Sequence, residues 1–162
     1  MGLDPLFSRC NPGTGEKANQ LYQNPEKIQM RFNQFFEKPL QENLSVALSG
    51  ETSSKTPLFE MIRELTFRED FGNGTERRLI IISDMMHHTR HYSHYKQAMD
   101  FDGFTSHSYG NEVKVNLHSA AVEIVYLRRS ALEYRQGKRH ISFWKDYFNF
   151  MGARVALIRN VQ

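Results

Sequence analysis

The run Arg78-Leu79-Ile80-Ile81-Ile82-Ser83-Asp84-Met85-Met86 decides the fold. Four consecutive branched apolar residues, Leu79 to Ile82, offer no polar face. They read as a strand covered on both sides, the pattern of a central strand in a parallel sheet. Ser83-Asp84 stands at the carboxyl end, where open α/β sheets form their ligand crevice. Asp84 is therefore a candidate for holding a cation or orienting a polar ligand. Ser and Asp are also common at strand-to-loop junctions, and in that reading Asp84 only caps the turn.

Working outward, Phe71-Gly72-Asn73-Gly74-Thr75 turns the chain into this strand, and Thr56-Pro57 opens a helix before it. A hydroxyl cap, a proline at the first helical position and a buried face of Leu58, Met61, Ile62 and Leu65 predict a helix from about residue 57 to 67. Further upstream, Asn24-Pro25 starts a helix with Ile28, Phe32, Phe35 and Phe36 as its core stripe. Pro39 kinks or divides it, and Gly50 stops it. Residues 1–24 are rich in turn formers and read as an irregular segment.

Downstream, residues 87–112 read as a long surface loop with a short helix near Lys96 to Ala98. Val122 to Leu127 form a second strand. A helix from about 140 to 151 buries Ile141, Trp144, Phe148 and Met151, Gly152 closes it, and Arg154 to Ile158 form a third strand. Three apolar runs separated by helix-bearing segments predict parallel strands near 78–84, 122–127 and 154–159, joined by right-handed crossovers. The expectation is one α/β domain over residues 1–162.

A chain of 162 residues that is 40% hydrophobic can bury a real core. The net charge of +3 is too mild and dispersed to mark a nucleic-acid binder. The single cysteine, Cys10, excludes an internal disulfide. No run reaches membrane-span length, and the amino terminus lacks the blocks of a signal peptide, so a soluble, by default cytoplasmic, protein is expected.

His87, His88, His91 and His94 crowd the segment after the strand. On a helix, the i, i+4 pair His87 and His91 would present imidazoles on one face to Zn²⁺, Ni²⁺ or Cu²⁺, the basis of an alternative reading as a metal-dependent hydrolase or nuclease. No Glu stands among them to act as the base of a catalytic zinc motif, and a solvated, tyrosine-interleaved turn accounts for the same residues. Arg90, Tyr92 and Tyr95 could equally contact phosphate and stack bases, as single-strand binders do, but no recognisable module such as the aromatic RNA-binding strand motif accompanies them.

Two motifs coincide in this layout. Thr56-Pro57-Leu58 opening a helix, followed by a hydrophobic strand ending Ile82-Ser83-Asp84, resembles the second and third elements of the metal-ion-dependent adhesion site of von Willebrand factor A domains. That resemblance implies a three-layer, Rossmann-like fold with a mainly parallel sheet, with Thr56 and Asp84 as ligands of Mg²⁺ or Mn²⁺ through oxygen. The expected function is a non-enzymatic protein-interaction module with a metal-assisted contact site around Thr56, Asp84 and the loop that follows, and with Ser53, Ser83, Arg90, Tyr92 and Tyr95 as interaction residues. The family's first strand and Asp-x-Ser-x-Ser motif have no counterpart before Pro25. Either the chain is shortened at its amino terminus, or the likeness extends only to the doubly wound architecture. With so few strands, the edge of the Leu79–Ile82 strand calls for a neighbour, and a homodimer is expected.

Overall fold

The computed structural model describes residues 6–19, 22–49, 54–72 and 75–161. The chain divides into two compact units, one of residues 2–53 and one spanning Ser54–Gln162.

In the first unit, Asn24 caps helix α1 (Pro25–Phe32) by accepting the Lys27 N–H at 3.0 Å, with Pro25 at the first position as expected. The helix does not break at Pro39. A π-helical turn over Asn33–Glu37 leads directly into α2 (Lys38–Leu48), so the added residue per turn lies just before the proline. The expected core stripe is not a core. Ile28, Phe32 and Phe36 are half-buried, Phe35 is exposed, and among the described residues of this unit none is buried. Local contacts order it: Phe36 stacks on Phe32 and meets the edge of Phe7, and the Gly15 N–H donates to Gln29 Oε1. The expected stop at Gly50 lies outside the described residues.

The second unit contains the sheet. Helix α3 (Leu58–Thr66) and a short turn of helix, α4 (Glu69–Gly72), precede strand β1 (Arg78–Ser83). Thr56 does not cap α3 through its side chain. Pro57 occupies the cap position, and the Thr56 backbone instead pairs with His88. After β1 come α5 (Phe101–Ser106) and α6 (Ser108–Glu112), then β2 (Ala121–Leu127), α7 (Lys138–Phe150) and β3 (Arg154–Val161). The expected loop over 87–112 is thus helical from Phe101, and Phe104 and Tyr109 anchor it in the core. Gly152, at φ 73°, closes α7 as its position suggests.

All three strands are parallel, in the order β1-β2-β3. The α/β class and the strand positions follow the expectation, but the placement of β1 does not. It lies at an edge, and it is covered on one face only. Leu79 and Ile81 pack against the core, whereas Ile80 and Ile82 are 52% and 63% exposed. The strand order explains this. When consecutive parallel strands are laid down in one direction with right-handed crossovers, every connecting helix falls on the same side of the sheet. Accordingly Phe104, Tyr109, Phe143, Trp144, Tyr147 and Phe148 share one core with Val122, Ile124 and Tyr126 of β2. Phe59, completely buried on α3, lies at its centre.

Candidate functional site

At the carboxyl end of β1 the chain turns sharply. Ser83 Oγ accepts the Met85 N–H at 2.9 Å and Asp84 Oδ1 accepts the Met86 N–H at 3.0 Å, so both side chains shape the turn. Met85 adopts the left-handed conformation, φ 58°, which costs a non-glycine residue about 1–2 kcal/mol. The resulting orientation places the Met85 carbonyl among three ring nitrogens: Trp144 Nε1 donates to it at 3.0 Å, and His140 Nε2 and His94 Nδ1 lie at 3.1 and 3.3 Å. The other His140 nitrogen, Nδ1, is 2.5 Å from the Tyr126 hydroxyl.

Asp84 is fully engaged. Its second oxygen, Oδ2, accepts from Arg129 Nη1 at 3.0 Å. The Asp84 carbonyl accepts from the amide of buried Gln136 at 3.0 Å, which also donates to Leu127 O at 2.9 Å, while Gln136 Oε1 accepts the Arg129 N–H at 2.7 Å. Gln136 therefore ties the end of β1 to the end of β2. Gln136→Ala is expected to lower stability by about 1–3 kcal/mol, because it takes the partner from three partly buried backbone groups, Asp84 O, Leu127 O and the Arg129 N–H. A chemical-denaturation midpoint unchanged from the parent would refute this.

Thr56 reaches this end of the sheet through its backbone. Its N–H donates to His88 O at 2.9 Å and its carbonyl accepts the His88 N–H at 3.0 Å. The donor set at Thr56 and Asp84 does not fit Mg²⁺ or Mn²⁺. Such ions need several free oxygen ligands, and the one carboxylate here holds a guanidinium on one oxygen and a backbone N–H on the other. Among the described residues no group of three or more His, Cys, Asp or Glu is arranged to hold a metal ion.

Nor do the histidines share a helical face, because residues 87–94 are not helical. His91 is exposed, accepts from Arg90 Nε at 2.8 Å and stacks on Tyr109. His87 is completely buried, with Nδ1 3.9 Å from Glu60 Oε2, too far for a hydrogen bond, and Nε2 3.2 Å from the Tyr109 hydroxyl. Burial, followed by the proximity of His88, pushes His87 down to about 3, so it is neutral at pH 7. His94 and His140 are likewise buried.

Of the other expected contact residues, Tyr92 is buried against Phe104 and Tyr109, and desolvation pushes its hydroxyl up to about 12. Tyr95 meets the His88 ring edge-on, while Ser53 lies outside the described residues. Comparison of the chain with protein-family models, curated proteins and solved structures finds no match.

Sequence reading missed His140 and Gln136, which complete this end of the sheet. His140 could have been found as the first member of the inward stripe it forms with Trp144, Tyr147 and Phe148 at helical spacing. Gln136, in a non-periodic turn, gave no such signal. Among the described residues no helix is long and apolar enough to cross a membrane.

Proposed function

We propose that this chain is a non-enzymatic protein-interaction module that associates as a homodimer along the edge of β1. The observation that carries the reading is β1 itself: an edge strand in which Ile80 and Ile82 stand in solvent. Its nearest charged residues, Arg77, Arg78 and Asp84, lie at or beyond its ends, and the strand has no proline, so it lacks the usual devices against pairing with another strand. A two-fold arrangement is the commonest closed outcome. Burial of the three imidazoles next to the Met85 carbonyl and Glu60 supports the non-enzymatic part, since no substrate can reach them without opening the core.

Light scattering at about 10 µM protein should give twice the chain mass. Ile80→Lys combined with Ile82→Lys should return it to the monomer with its circular dichroism intact. A monomer mass for the parent chain at that concentration would eliminate self-association.

A further inference from the structure

The outer face of the sheet presents a second surface, which shares Ile80 and Ile82 with the β1 edge strand and continues across β2 and β3. The register places Ile80, Glu123 and Leu157 in one row, Ile82, Val125 and Arg159 in the next, and Leu127 beside Val161 at the carboxyl end. Arg78, Ala121 and Arg154 close the amino end. Ile80, Ile82, Leu127, Leu157 and Val161 are all exposed. The face is thus an apolar strip carrying three guanidiniums and one carboxylate. Glu123 is already held by both nitrogens of the Arg78 fork, at 2.8 and 2.9 Å.

A parallel sheet is normally covered by helices on both faces, and the strand order here sends both crossovers to one. Size and charge choose the occupant of the other. Three strands about 4.8 Å apart and about 20 Å long give a footprint of roughly 300 Å². Two copies packed face to face would oppose two surfaces with the same excess of arginine. One α-helix, about 10 Å across, fits within the width of the strip.

Resting on the interaction-module reading, we propose that this face docks an amphipathic α-helix of a partner protein, apolar on the docking side and flanked by Asp or Glu that meet Arg154 and Arg159. Helix-in-groove recognition of this kind reads a few apolar anchors at i, i+3, i+4 and i+7.

The test uses the full chain carrying Cys10→Ser and Ile82→Cys, so that the only thiol reports on the face. Its maleimide labelling rate is followed with two synthetic helical peptides of about 18 residues that share a Leu/Ile stripe, one flanked by Glu and the other by Lys. The Glu peptide is expected to slow labelling at least about tenfold at low salt and less at high salt, with little effect from the Lys peptide. Leu157→Glu, on the strand far from the β1 edge, should abolish protection. Arg154→Glu with Arg159→Glu should transfer it to the Lys peptide. Three results would overturn the proposal: a thiol already unreactive in the free monomer, meaning the chain covers this face itself; protection that grows with protein concentration and dimer mass, meaning a second copy does; or equal protection by both peptides. A monomer mass in light scattering removes edge dimerisation and leaves this labelling result standing, so the two failures are distinguishable.

Discussion

Acidification from pH 7 to pH 5 is expected to unfold the Ser54–Gln162 unit, with a transition steeper than surface carboxylates produce. His87, His94 and His140 are all completely buried, and each is held neutral in the fold. Burial lowers His87 to about 3, with His88 adding to the shift, and lowers His140 to about 4 against the opposing pull of the Met85 carbonyl and Asp84. His94 falls well below the ordinary histidine value, through burial first and then the neighbouring His140 and His87. In the unfolded chain all three return to about 6.5. Below that value the unfolded state binds more protons than the folded one. Their contribution is therefore complete above about pH 6.5 and is lost as the pH falls toward the folded values. At about 1.4 kcal/mol per pH unit and per histidine, pH 5 removes roughly 2 kcal/mol for each of His87 and His140, with His94 acting in the same direction, a loss that approaches the total stability of an ordinary domain.

Trp144, the only tryptophan, donates to both His140 Nε2 and Met85 O, so its emission reports on this cluster directly. A red shift with a midpoint near pH 5 is expected from the slope above. His94→Asn, which removes one titrating ring, should move that midpoint to lower pH. Emission unchanged from pH 7 to pH 4 would show that the imidazoles are not the groups that limit stability.

The parts of this fold that could be read from sequence were those set by chain-local patterning. Leu79–Ile82, Val122–Leu127 and Arg154–Ile158 are apolar enough to be strands, and the helical stripe ending at Gly152 separates the last two, so parallel pairing follows. The same patterning could not say that β1 lies at an edge. A run of Leu and Ile states that both faces are apolar, and only the strand order states which face receives helices. The histidine segment failed for a different reason. The i, i+4 argument for His87 and His91 presumes a helix, whereas the left-handed Met85 and the backbone pairing of Thr56, His88 and Ser93 wind this segment into an irregular turn. There the His94 N–H donates to the His87 carbonyl, and His140 arrives from 46 residues away to share a nitrogen contact with His94. Such contacts leave no periodic trace. Asp84 was legible as a turn former and as a potential ligand alike. Arg129, 45 residues distant, decided between them by occupying its outer oxygen.

Phe59→Ala is expected to cost about 3–5 kcal/mol. Phe59 stacks on Phe104 and Trp144, and its ring also meets those of His87, Tyr92, His94, Tyr109, Phe143 and Tyr147. Removing it unseats α3, α5, α6 and α7 together. The resulting void differs from one lined by leucines. Among the rings bordering it, His87 Nδ1, His94 Nε2 and the Tyr147 hydroxyl are buried without a hydrogen-bond partner. Water entering the void can bond to these groups, which a dry aliphatic cavity does not allow. Two consequences follow. The loss should fall near the lower end of the range, about 3 kcal/mol, and Phe59→Leu, which fills more of the void, should recover over half of that loss. Hydration should also raise the imidazoles toward 6.5, so the pH dependence of the Phe59→Ala variant below pH 6.5 should be shallower than that of the parent. Urea midpoints measured at pH 7.5 and pH 6 for both proteins decide the matter: a smaller difference between the two pH values in Phe59→Ala supports a hydrated void, whereas an equal or larger difference means that the imidazoles remain dry.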